Sequence, residues 1–172
     1  MVTHVADGDL HRIFEALGKA RVRYLVVGGV AVVLHGYPRF TADLDLIVEL
    51  TPDNALAAVR ALADLGFQPR APVDAEAFAD PDARRGWIQD KGLTMFSMWS
   101  KDFPATEIDL FVEEPVPFEA AYARAVRVDL GPSQIPVAAI EDLLALKRAA
   151  SRPRDLEDIE ALEAILREGA DD

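Results

Sequence analysis

Asp43 and Asp45 stand two residues apart at the head of the apolar run LDLIVEL, residues 44–50. Side chains alternate across a strand, so the two carboxylates face one way while Leu44 and Leu46 face the other, into a core. Two like charges this close repel, and one carboxyl tends to keep its proton. Two readings follow. The pair points to solvent, as acids that guard an edge strand do, or it is held for a cation. Mg²⁺ takes oxygen ligands and commonly binds one or two carboxylates plus substrate phosphates. A third acid, Asp109, lies between Ile108 and Leu110 in a second apolar run, with Glu107 on its face. If the two runs are neighbouring strands, three carboxylates converge, an arrangement that can hold two metal ions for phosphoryl transfer.

Gly28-Gly29 closes the apolar run at 24–27. Glycine lets a backbone approach a phosphate closely. A helix starting there offers free N–H groups to an anion. Arg39 and Thr41 lie on the loop before the aspartates, placed to touch the same phosphates. Alone, the glycine pair reads as a turn; the acids around it favour the phosphate reading.

The elements that must position these residues follow from periodicity. Leu10, Ile13, Phe14 and Leu17 predict a first helix ending near Lys19, capped by Asp7 or Asp9. Strands are expected at 24–27, 44–50, 93–99, 106–112 and 127–130. Helices are expected at 30–35, 52–65, 118–124, 137–148 and 156–166. Residues 68–92, rich in Pro, Asp, Ala and Arg, read as loop with a helical turn. Strands mixed with helices and a helical end suggest an α+β or mixed α/β fold.

Gly-Gly, a short helix, RFTADLDLIV and then an isolated IDLFV resemble the nucleotidyltransferase superfamily of the DNA polymerase β type. The closer similarity is to small bacterial members, the abortive-infection and toxin–antitoxin nucleotidyltransferases. Those carry a C-terminal basic stretch followed by Arg/Lys-Asp-x-x-Asp, here LKRAASRPRDLEDIEAL. The resemblance covers residues 24–50, 106–112 and 140–162. It implies a mixed-sheet catalytic domain over 1–136 with a C-terminal helical part, 137–172, packed on it. It implies Asp43, Asp45 and Asp109 as ligands of Mg²⁺ or Mn²⁺, with Asp109 also a base for the acceptor hydroxyl. Gly28 and Gly29 would hold the triphosphate. Lys147 would neutralise phosphate charge, supported by Arg154 and Asp158. Val30 stands where many members carry a phosphate-contacting Ser, a contact Thr41 can partly replace.

Other readings of single residues stand beside these. Lys147 also suits a helix C-terminus. Asp155 and Asp158 suit an N-cap and a first-turn acid. Arg152 and Arg154 read as solvent charges, His35 as a hydrogen-bonded structural residue, and Trp87 and Trp99 as core or partner-facing. His4 and His11 are too scattered for a metal site.

Of 172 residues, 51% are hydrophobic and 28% charged, consistent with one soluble domain with a real core. The absence of cysteine excludes disulfides and thiolate metal sites. No apolar run spans a bilayer and the first residues lack a signal-peptide pattern, so a cytoplasmic protein is expected. A net charge of −12 opposes binding of long duplex nucleic acid. The expected reaction moves a nucleoside monophosphate from an NTP to an acceptor hydroxyl on a tRNA end, a protein, an antibiotic or a metabolite. Its rivals are an inactive nucleotide- or partner-binding member of the fold, and half of a toxin–antitoxin pair with a protein partner.

Overall fold

The computed structural model describes residues 7–171; His4 lies outside them. The first helix, α1 (Asp7–Lys19), turns Leu10, Ile13, Phe14 and Leu17 inward, each essentially inaccessible. Asp9 sits inside its first turn rather than at the cap. Strand β1 (Tyr24–Val27) runs directly into α2 (Gly28–Leu34), so the glycine pair opens the helix instead of forming a separate turn before it. Strand β2 (Asp43–Val48) begins at Asp43 and stops two residues before Leu50. Thr51 and Pro52 start α3 (Pro52–Asp64), where proline's missing N–H costs nothing.

Residues 68–92 hold more structure than their composition suggests. They form β3 (Gln68–Pro69), a 3-10 turn at Ala75–Ala79 and α4 (Pro81–Lys91). Asp80 caps α4 by accepting from the Asp82 N–H at 2.9 Å, Pro81 follows it, and Gly92 ends the helix at φ 59°. Strands β4 (Met95–Trp99) and β5 (Glu107–Phe111) come next, then α5 (Phe118–Ala123) and β6 (Val126–Leu130). The expected helix from Val137 starts later. Val137 ends a strand, β7 (Ser133–Val137), and α6 runs Ile140–Ala150. Helix α7 (Pro153–Ala170) is longer than 156–166 at both ends.

The seven strands form one mixed sheet in the order β3-β4-β5-β2-β1-β7-β6. β2 pairs with β5, and β1 with β7, in parallel; the other pairs are antiparallel. The fold is the mixed α/β expected. One sheet face carries Val26, Leu46, Leu110 and Phe96 on a single register line, all at most 2% exposed. Helix α1 covers that face where Phe14 stacks on Tyr24, and the 3-10 turn covers it where Phe78 meets Phe96. The alternation that buries this face turns the aspartates to the other. Among the described residues no helix is long and apolar enough to cross a membrane.

Candidate active site

Register gathers the acids. Asp45 on β2 lies beside Asp109 on β5, Asp109 lies beside Ser97 on β4, and Asp45 lies beside Val27 on β1. One line across four strands therefore runs Ser97, Asp109, Asp45, Val27 and stops at Gly28. Asp43 is two pairs back, on the same face, beside Glu107. Ser97 donates its hydroxyl to Asp109 at 2.5 Å. Glu107 is held at 3.1 Å through both its oxygens by Arg70, which makes it a paired acid.

Burial pushes the Asp45 carboxyl up from its ordinary 3.8 to about 7, with the Asp109 and Asp43 charges adding to the shift; Arg152 and Lys147 pull against it. Burial raises Asp109 as well, while the Ser97 hydrogen bond holds it down. Two carboxylates that resist sharing a site want a cation between them. Among the described residues no three His, Cys, Asp or Glu side chains gather closely enough to cage an ion unaided. Mg²⁺ asks a protein for only one or two carboxylates and completes its shell with water and phosphate oxygens. The all-oxygen donor set fits that demand.

Both glycines are sterically required. Gly28 has φ +68°, and a Cβ there would sit 2.0 Å from Asp45 Oδ2. A Cβ on Gly29 would sit 2.7 Å from Thr41 Oγ1. The backbone thus lies against the acid and the hydroxyl, leaving no side chain between them and a ligand.

Two helices supply the cations. Lys147, in the last turn of α6, is only 7% exposed. Its ammonium donates to Asp158 at 2.8 Å and lies 3.8 Å from Asp155. Asp158 also pairs with Arg39, so one buried carboxylate aims a cation from the β2 approach loop and one from α6. Asp155 accepts from the Arg152 backbone N–H at 3.1 Å and from its Nε at 2.9 Å. The Arg152 hydrogen bonds hold the Asp155 carboxyl below its usual range although burial pushes the other way.

These groups line a cleft of about 550 Å³. Gly28, Gly29, Arg39, Thr41, Asp43, Asp45 and Asp109 border it from the sheet side; Lys147 and Arg154 border it from α6 and α7. A profile of the nucleotidyl transferase AbiEii toxin, type IV toxin–antitoxin system, matches residues 13–172. The chain belongs to this AbiEii family. No curated protein matches it at a significant level. Among solved structures it is similar to the lincosamide antibiotic adenylyltransferase LnuA bound to lincomycin, with 17% identity and TM-score 0.64 over 94% of this chain and 98% of that one. The structure of ANT(2'')-Ia in complex with adenylyl-2''-tobramycin gives 12% identity and TM-score 0.60 over 93% and 88%. An antigenic nucleotidyltransferase-like protein from Paracoccidioides brasiliensis gives 15% and 0.57 over 91% and 74%. At such identities these likenesses speak to the fold, and the fold is that of nucleotidyltransferases.

Within this AbiEii-family chain, several sequence expectations need correction. Asp155 is not an N-cap but the third residue of α7, reaching back to Arg152, which holds the cap position. Asp158 is no first-turn surface acid; it is 3% exposed and stands behind the cleft wall rather than on it. Arg152, read as a solvent charge, is exposed as expected, and it also lines the cleft and acts on Asp45. Ser97 carried no signal in MFSMW and emerges only through its pairing with Asp109. Val30 is fully buried in the core, so the cleft hydroxyl beside the glycines is that of Thr41. His35 Nε2 sits 2.8 Å from the Ala138 carbonyl oxygen, a structural contact. Trp87 stacks on Phe96 at 5.3 Å, and Trp99 lies under Arg70.

Removing the Ser97 hydroxyl takes away the hydrogen bond that lowers Asp109. In Ser97→Ala the Asp109 carboxyl therefore titrates at higher pH than in wild type, read by carbon NMR of the metal-free protein. An unchanged titration would deny Ser97 that role.

Proposed function

We propose that this chain transfers a nucleoside monophosphate from an NTP to an acceptor hydroxyl, with Mg²⁺ or Mn²⁺ held by one or two carboxylates at a time from among Asp43, Asp45 and Asp109 and by the phosphate oxygens. The observation that carries the reading is the Asp109–Asp45–Gly28 line, two mutually repelling carboxylates pressed against a side-chain-free backbone and faced by Lys147. The bound cation supplies charge neutralisation for the carboxylates and for the phosphate oxygens. Gly28 and Gly29 let the triphosphate reach the backbone. Lys147 and Arg39, aimed by Asp158, offset charge that grows on the leaving pyrophosphate. Arg154, exposed at the cleft and without an ion pair among the described residues, adds a further contact. Asp109, with its raised pKa, orients the acceptor hydroxyl and takes its proton as the oxygen attacks the α-phosphorus. The bond to the bridging oxygen breaks and pyrophosphate leaves. In this reading residues 1–136 form the catalytic part and 137–172 bring Lys147 to it. The reaction belongs in the cytoplasm, where NTPs are available.

Parallel incubations with α- and γ-labelled NTP, Mg²⁺ and a cell extract as the acceptor source test the reaction type. The α-label is expected in an acceptor and the γ-label in pyrophosphate. Transfer of the γ-label, or release of orthophosphate alone, would rule the reaction out.

A further inference from the structure

A second concavity, also about 550 Å³, lies at the other end of β1 from Gly28, between the end of α1 and the β6–β7 hairpin. On a chain of net charge −12 it gathers Lys19, Arg21, Arg23 and Arg127 against one acid on its wall, Glu15. Two of these cations are already paired with carboxylates. Lys19 reaches Glu15 at 2.8 Å, and Arg23 is held by Glu49 and by Glu119. The other two are not. Among the described residues the Arg21 side chain has no hydrogen bond or ion pair, and that of Arg127 has only Tyr122. Outside the groove, arginines 39, 60, 70, 85, 124, 148 and 152 have a carboxylate partner, and Arg12, Arg84, Arg154 and Arg167 have none among the described residues. The groove thus holds positive charge that the acidic surface has not absorbed.

Its geometry suits an oxyanion. Arg23 and Arg127 lie over the Tyr122 ring with Cζ 4.7 and 4.5 Å from its centroid. Arg23's N–H edge is taken by Glu49 and Glu119, whereas Arg127, laid on the ring without a carboxylate partner, keeps N–H groups to fork onto phosphate. Arg21 has φ +54° in the turn that ends α1, where its N–H bonds Gly18 O at 3.0 Å. Glycine is the residue that takes such a position without strain, yet here it carries a cation into a groove. Phe118 also stacks on Tyr122, at 5.3 Å, and Tyr24 is 4% exposed, so the aromatic rings are already covered. A ligand here is read by its phosphates and not by base stacking.

We propose that this groove is a second ligand site, independent of nucleotidyl transfer, that binds phosphate groups through Arg21 and Arg127. The phosphates can belong to a single-stranded polynucleotide backbone or to a free polyphosphate. The test uses the full chain in EDTA at low salt. Calorimetry measures inorganic tripolyphosphate, and fluorescence anisotropy measures a labelled uridylate decamer, on wild type and on Arg21→Gly/Arg127→Gln. Glycine suits φ +54°, so the variant is expected to melt no lower than wild type. Phosphate affinity is expected to fall at least about tenfold. For the decamer, the slope of log K against log salt should shrink by about 1.4, roughly 0.7 for each lost phosphate contact. The response to NTP with metal should be unchanged. Tighter binding of the decamer than of tripolyphosphate assigns the backbone, and the reverse assigns free polyphosphate. Binding of neither probe, equal affinity in the variant, or tighter binding of a decaglutamate peptide would overturn the site.

Discussion

Asp45→Asn is expected to abolish nucleotidyl transfer and, in the same protein, to raise the melting temperature without metal at pH 8. The two effects share one cause. Asp45 is pressed between Gly28 and Asp109, and burial with its two neighbouring carboxylates lifts it to about 7. The folded state therefore holds a proton that the unfolded chain, near the ordinary 3.8, has released at intermediate pH. A state that binds more protons loses stability as pH rises. The penalty is absent below about 4, grows through the window up to about 7, and is complete above it. Asn removes it. The gain in melting temperature should accordingly be largest at pH 8 and vanish near pH 4, and Mg²⁺ with NTP should stabilise wild type only. Transfer should fall by roughly a thousandfold or more, as expected when a group that holds charge in the transition state is removed. Loss of activity together with lower stability at pH 8 would mean that Asp45 is a structural acid.

Gly28→Ala should cost both stability and activity. An L-residue at φ +68° is strained by about 1–2 kcal/mol before any contact is counted. The new Cβ would also fall 2.0 Å from Asp45 Oδ2 and 2.8 Å from its Cγ. Asp45 has little room to swing, because Asp109 occupies the next position on the same line. Either α2 shifts or the carboxylate leaves the cleft. A loss of roughly 2–4 kcal/mol is in the range for such overpacking with strain. At this chain length that lowers the melting temperature by roughly 5–15 °C. Moving the carboxylate by an ångström costs about a hundredfold or more in rate. Asp45→Ala on the Gly28→Ala background removes the two closest contacts, so part of the stability returns while activity does not. Additive effects of the two substitutions would contradict the contact.

The acids were readable because strand alternation is a short-range rule. Leu44, Leu46, Ile108 and Leu110 had to face a core, so Asp43, Asp45 and Asp109 had to face away from it. The alignment of Asp45 with Asp109 depends on which strands are neighbours and in what register. No local pattern encodes that, so Ser97 stayed invisible. The first-turn reading of Asp158 fails for a related reason. Asp155, Asp158 and Leu162 share one buried side of α7, at helical spacing. Charged residues are seldom fully buried unless paired, and the partners Lys147, Arg39 and Arg152 come from three separate segments. Strand β7 was hidden by Pro136, a residue that argues against an inner strand. The ladder to β1 begins only at Val137, one residue later. The Asp80-Pro81 start and Gly92 stop of α4 were present in the sequence as cap signals, masked by a weakly apolar composition.

The most direct test of the central claim is a thermal shift with each NTP in the presence and absence of Mg²⁺ or Mn²⁺, on wild type and on Asp43→Asn/Asp45→Asn. Ligand at about a hundred times its dissociation constant stabilises by about 2.7 kcal/mol, roughly 5–10 °C for a chain of this size. The account predicts a shift in wild type that requires metal and nucleotide together and is lost in the double variant. A wild-type protein that no NTP stabilises with either metal, or a shift that survives in the variant, would contradict it.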